Sequence, residues 1–105
     1  DIAVGLSMSD KIPVVYSITT FLLYRPFETI RTYINHEGWN VKMVGSGRDK
    51  DYEHDGISHW SNDAKSILKN FKSICTDWPK KKEDIPKIMD LFIYCPGPHF
   101  LSLRR

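Results

Sequence analysis

The chain has 105 residues, enough for one domain built on a single hydrophobic core and too few for a second. A hydrophobic fraction of 41%, an aromatic fraction of 12% and a formal net charge of +2 describe an ordinary globular chain, which argues against disorder and against nucleic acid as a partner. No apolar stretch approaches the roughly 20 residues that span a bilayer, and no signal peptide is recognisable before the first strand, so a cytoplasmic setting without a membrane partner is expected.

In chain order, Ile2-Ala3-Val4-Gly5-Leu6 reads as a helix already under way, so 1–105 is expected to be a piece of something longer. Pro13-Val14-Val15-Tyr16-Ser17 is a β-branched and aromatic run, apolar enough for a strand buried on both faces. Residues Ile18 to Arg25 then form a loop. Pro26 suits the first turn of a helix, and Phe27, Ile30 and Ile34 give it an apolar stripe that ends near Gly38. Val41-Lys42-Met43-Val44 repeats the strand signal and runs into Gly45-Ser46-Gly47, followed by a polar stretch to about Trp60. Ala64, Ile67, Leu68 and Phe71 mark a second helix, and Ser73-Ile74-Cys75-Thr76 a third short strand. Asp84 can cap a last helix with Pro86 in its first turn and a stripe of Ile85, Ile88, Met89 and Phe92. Gly97-Pro98 closes it ahead of His99-Phe100-Leu101-Ser102-Leu103. Strands alternating with helices predict an α/β fold with a doubly wound parallel sheet.

The two cysteines, Cys75 and Cys95, have no near histidine or third cysteine, so they spell neither a zinc site nor a redox motif and are expected to be buried, reduced thiols. Lys80-Lys81-Lys82, beside Pro79 and before Glu83-Asp84, reads as a solvated turn.

In an open parallel sheet the βα loops gather at the carboxyl edge, where ligands bind. Two stretches fall there. The first carries Phe21, Tyr24 and Phe27, which step by three and can share one side. The second, Ser46 to Trp60, is long for such a connection, and long loops in compact domains are functional or disordered. It contains Glu53-His54-Asp55-Gly56-Ile57-Ser58-His59. By spacing alone the aromatics are better explained as core, and His54, Asp55 and His59 as a polar surface loop. A metal-dependent hydrolase using His54, Asp55 and His59 is a third reading, although no neighbouring strand offers a fourth ligand.

Taken together, Ala3-Val4-Gly5-Leu6, Pro13-Val14-Val15-Tyr16-Ser17, Phe21 to Arg31, Val41-Lys42-Met43-Val44-Gly45, Asp55-Gly56-Ile57-Ser58-His59 and Gly97 to Arg105 resemble, in order and spacing, the pyrimidine-binding domain of transketolases. The likeness extends to deoxyxylulose-phosphate synthase and pyruvate dehydrogenase beta-type domains. It implies a three-layer thiamine diphosphate-binding fold over residues 1–105 and two-carbon ketol transfer between sugars or sugar phosphates. Phe21, Tyr24 and Phe27 fall where the family's aromatics surround the aminopyrimidine of thiamine diphosphate, with Tyr24 at the stacking ring. Asp55 and His59 match positions facing the sugar hydroxyls, with His59 in a catalytic, proton-exchanging role. Arg105 matches the place where many members bind a substrate phosphate or carboxylate. The family's catalytic glutamate would lie upstream of Asp1. The diphosphate and its magnesium would be held by a diphosphate-binding domain of the same or another subunit, in a homodimer or heterotetramer, and no metal site is implied here. Gly47 stands where transketolases carry a substrate histidine, and Ile57 and Trp60 replace the usual proline and small or histidine residues. The alternative is a non-catalytic assembly or regulatory domain with the same fold.

Overall fold

The β-branched runs do become strands. The computed structural model describes every residue from Asp1 to Arg105, with β1 (Val14–Ile18), β2 (Lys42–Ser46), β3 (Cys75–Asp77) and β4 (His99–Leu103) in one sheet of order β1-β2-β4-β3. All three pairings are parallel, so the carboxyl ends Ile18, Ser46, Leu103 and Asp77 lie along one edge. The helices are α1 (Ile2–Met8), α2 (Thr19–Tyr24), α3 (Phe27–Thr29), α4 (Ala64–Leu68) and α5 (Ile85–Tyr94). The α/β parallel sheet expected from the strand and helix alternation is thus the fold observed.

Several local expectations need correction. The segment Ile18 to Arg25 is not a loop: α2 begins directly after β1, because the Thr19 and Thr20 hydroxyls are tied to neighbouring segments while Leu22 and Leu23 are buried. The helix opened by Pro26 starts as α3 and then widens into a π-helical stretch, Ile30–His36, in which the Glu37 N–H reaches back to the Thr32 carbonyl at 3.1 Å. Ile30 and Ile34 both lie in the core, as the apolar stripe predicts. Strand β3 begins two residues late, at Cys75, where its N–H first finds a partner in the Pro98 carbonyl (3.1 Å). Asp84 makes no side-chain cap for α5; its carboxylate accepts the Lys81 N–H one turn earlier (3.3 Å). The thiols are not buried either: Cys75, on an edge strand, is exposed, and Cys95 is half-buried.

One face of the sheet carries the main core. Met43 and Phe100, adjacent in register, pack with Leu22, Leu23, Ile30, Ile34, Leu68 and Phe71 from the helices above. Gly45 lies under α2, and a Cβ there would stand 2.7 Å from Thr19 Oγ1 and 2.8 Å from the Phe100 ring, so only glycine lets the helix sit this close. The other face is covered over β4 by α5, with Phe92 against the buried His99 ring (centroids 5.2 Å apart). At β1 that third layer is missing, and Val14 (52%) and Tyr16 (68%) are exposed.

Lys42 points into this second face without accessible surface. Its ammonium donates to the carbonyls of Cys95 and Gly97, both at 2.7 Å, and so holds the carboxyl end of α5 against β2, while burial lowers its pKa. Lys42→Ala would leave two carbonyls without this donor and open a cavity. We expect a loss of about 2–4 kcal/mol in urea unfolding, with Lys42→Arg losing less if the two carbonyl bonds are what matters.

Candidate functional site

At the carboxyl edge, the first turn of α2 is pinned to the loop after β2. Thr19, at 1% exposure, directs its hydroxyl to the carbonyls of Gly47 (2.8 Å) and Ser46 (3.1 Å). Ser61, at the far end of the long loop, donates to the same Gly47 carbonyl at 3.1 Å, and its N–H closes onto the Asp49 carbonyl at 2.8 Å. The Thr20 hydroxyl donates to the Ser58 carbonyl at 2.7 Å. These bonds hold the 47–61 loop, which contains two short 3₁₀ turns at Glu53–Asp55 and Ile57–His59, against α2.

The two stretches expected to meet therefore do meet. Phe21 lies edge-on to His59, with ring centroids 4.8 Å apart, and the Arg25 guanidinium lies 3.9 Å from the centre of the Phe21 ring. The Tyr24 hydroxyl donates to the Asp63 carboxylate. Burial first, and then that carboxylate, pushes the phenol pKa well above its ordinary value, so Tyr24 remains a neutral donor. Phe27 packs on Phe71 at 5.5 Å. The three rings thus follow one side of the chain and meet His59, Asp63 and Phe71 in turn. The His59 Nδ1 is 2.9 Å from the Ser58 hydroxyl. Asp55 and His54 are exposed, and no group of three or more His, Cys, Asp or Glu side chains converges in the structure.

Arg105 joins this site through a residue that sequence reasoning missed. Its guanidinium lies 5.4 Å from the centre of the Tyr52 ring, and that ring lies 6.2 Å from His59. Arg105, Tyr52, His59, Phe21 and Arg25 form a continuous line. Tyr52 also occupies the space above Gly47: a Cβ at position 47 would fall 2.2 Å from its ring, and Gly47 has a φ of +78°. A side chain at position 47 and the Tyr52 ring are alternatives for one volume. Gly47 carried the one sequence signal, as a departure from the family pattern, but nothing in spacing could have named the ring that fills the gap.

Two further residues were not legible. Arg48 donates to Ser102 Oγ (3.1 Å), the Ser102 carbonyl (2.6 Å) and the Pro79 carbonyl (3.0 Å), joining the exits of β2, β3 and β4. Asp51 ties the long loop to the arginines after β4: it accepts the Arg48 N–H (2.9 Å), the Arg105 N–H (3.2 Å) and the Arg104 guanidinium (2.8 Å). Burial alone would raise the Asp51 pKa, but these three donors outweigh it and hold the carboxyl below its usual value.

The parallel sheet with its loops gathered at one edge defines an α/β domain, and comparison with known proteins finds transketolase subunits similar to it. No family model matches the chain. Over 104 residues it is 29% identical to the 6-deoxy-6-sulfo-D-fructose transketolase subunit of Clostridium sp. (strain MSTE9), covering 99% of this chain and 32% of that protein. It is 26% identical over 101 residues to an apulose-4-phosphate transketolase subunit of Actinobacillus succinogenes, covering 96% of this chain and 32% of that one. Among solved structures it matches a split gene transketolase, an inactive beta4 tetramer, with a TM-score of 0.86 and 25% identity over 99% of this chain and 32% of that chain. The resemblance to transketolases read from the sequence is borne out, and the chain spans about a third of the length of each of these proteins.

A carboxyl whose folded pKa is depressed contributes stability that is present above its unfolded pKa, about 4, and lost as the pH falls below it. The stability difference between the native chain and Asp51→Asn should accordingly be largest near pH 7 and shrink below about pH 4. Urea titrations at pH 7 and pH 3 measure it.

Proposed function

We propose that this chain is the pyrimidine-binding part of a thiamine diphosphate-dependent, transketolase-like transferase that moves a two-carbon ketol unit between sugars or sugar phosphates. The observation that carries the reading is the junction of Phe21 with His59 at the carboxyl edge, in a chain similar to transketolase subunits over 99% of its length. The aromatic and apolar side chains on this edge suit a flat heterocycle.

When bound, thiamine diphosphate supplies the chemistry that breaks and remakes the carbon–carbon bond. This chain's contribution is placement. Phe21, Tyr24 and Phe27 offer the apolar wall, and the Tyr24–Asp63 bond fixes the middle ring. His59, steadied by Ser58 and by the edge of Phe21, has its imidazole available to exchange a proton with a substrate hydroxyl. Asp55, exposed four residues away, can accept a hydrogen bond from a further hydroxyl, and Arg105 can grip an anionic group. The glutamate that the family uses at the aminopyrimidine would come from outside these residues, as would the partner domain, in a homodimer or heterotetramer.

The second reading, a non-catalytic assembly module, is favoured by the inactive tetramer among its structural relatives. Supplying the diphosphate-binding partner separates the two. With the partner present, Tyr24→Ala should weaken thiamine diphosphate binding in calorimetry, whereas His59→Ala should leave binding largely intact and lower turnover by about 10²-fold. Negligible effects of both, or no turnover by the assembled native protein, would favour the module.

A further inference from the structure

Tyr52 is a half-buried ring at the carboxyl edge that takes no part in the hydrophobic core. Its seat is Gly47. With a φ of +78° and no side chain, Gly47 leaves free the volume that a Cβ would take, and two Tyr52 ring carbons stand 2.2 and 2.4 Å from that point. The floor of the seat is fixed, since the Gly47 carbonyl accepts from both Thr19 and Ser61. The ring is held from other directions as well. Its hydroxyl lies 3.3 Å from Ser46 Oγ, the Tyr52 carbonyl accepts the Asp55 N–H at 3.1 Å, and the Arg105 guanidinium lies over the ring at 5.4 Å. The preceding residue, Asp51, is bonded to Arg48, Arg104 and Arg105.

His59 therefore has two aromatic neighbours, Phe21 at 4.8 Å and Tyr52 at 6.2 Å, both in T-shaped geometry. Each of these rings is backed by a guanidinium, Arg25 on Phe21 and Arg105 on Tyr52. A group that reaches the imidazole does so beside two braced rings. Aromatic carbon offers no hydrogen bond, so a hydroxylated carbon chain that runs from His59 along this line loses water from its hydroxyls without a replacement partner. The penalty grows with each hydroxyl brought against a ring, and a chain too short to extend past His59 escapes it.

We propose that Tyr52 determines substrate specificity at this edge: seated over Gly47, its ring limits the space beside His59 to a short acceptor aldehyde and disfavours longer polyhydroxylated ones. The ring rather than the phenol oxygen carries the effect, because the hydroxyl is turned to Ser46. The inference rests on the transferase reading for the reaction itself and adds to it the length of the acceptor.

The test has two arms. In NMR spectra of the intact chain without ligand, the Gly47 α protons should be displaced by the Tyr52 ring current, and Tyr52→Ala should abolish that displacement; its absence from the native chain overturns the seat. In the second arm the diphosphate-binding partner, thiamine diphosphate and magnesium are supplied. There kcat/KM is measured for glycolaldehyde and for D-ribose, with D-fructose 6-phosphate or hydroxypyruvate as the two-carbon donor. Tyr52→Ala should raise the ribose-to-glycolaldehyde ratio by about tenfold, and Tyr52→Phe should keep it within about twofold of the native value. Both acceptors are uncharged, so the ratio does not report on anion binding by Arg105. Comparing two acceptors on one protein also cancels any loss of folded material in a variant, and the ring closure of ribose affects all variants alike. Turnover with a ratio that Tyr52→Ala leaves unchanged, or that Tyr52→Phe shifts as far as Tyr52→Ala does, overturns the specificity role and leaves the transferase reading standing. No turnover of either acceptor by the native assembly with either donor overturns the transferase reading, and the specificity role with it.

Discussion

A single carbonyl organises the functional edge of this domain. The oxygen of Gly47 accepts from Thr19 at the start of α2 and from Ser61 at the end of the long loop, using both of its lone-pair directions. Those bonds bring the start and the end of the connection from β2 to α4 to one point beside α2. With them, Phe21 and His59, far apart in sequence, come within ring contact. The positive φ of Gly47 turns the chain at that point, and the Tyr52 ring seals the space left by the missing side chain.

A second tier of polar contacts extends the arrangement to the other two strand ends. Arg48 reads the exits of β3 and β4 at once, and Asp51 collects the backbone and guanidinium of the residues that follow β4. Such half-buried groups are stabilising only as a set, since removing one partner leaves the others desolvated. The ends of β3 and β4 and the aromatic line are thus joined through one loop assembly.

The fold was largely legible in the chain because strand and helix signals are local: the runs at Val14 and Lys42 and the stripes at Ala64 and Ile85 need only their own periodicity. The places that were misread are those where tertiary contacts override it. Thr19 and Thr20 read as part of a loop until their hydroxyls find carbonyls in another segment and α2 starts at once. The switch to wider, i→i−5 bonding over Ile30–His36 leaves no mark in the apolar stripe, which reads as an ordinary helix. The aromatic and histidine residues of the site were visible as types and as an order along the chain, whereas Arg48, Asp51 and Tyr52 were not. Their roles depend on hydrogen bonds and volumes between loops, which no spacing encodes.

The strand order carries a consequence for how this domain is made. Strand β4, the last of the four in sequence, lies inside the sheet, between β2 and β3. Until it arrives, β3 has no neighbour at all and β2 pairs only with β1. Phe100, central to the core, arrives with it. Most of the sheet therefore depends on contacts of long sequence separation, a topology that folds slowly and cooperatively. During synthesis, the domain gains its native sheet only once its final strand is free to insert, and the exposed edges of β2 and β3 are at risk of wrong pairing until then.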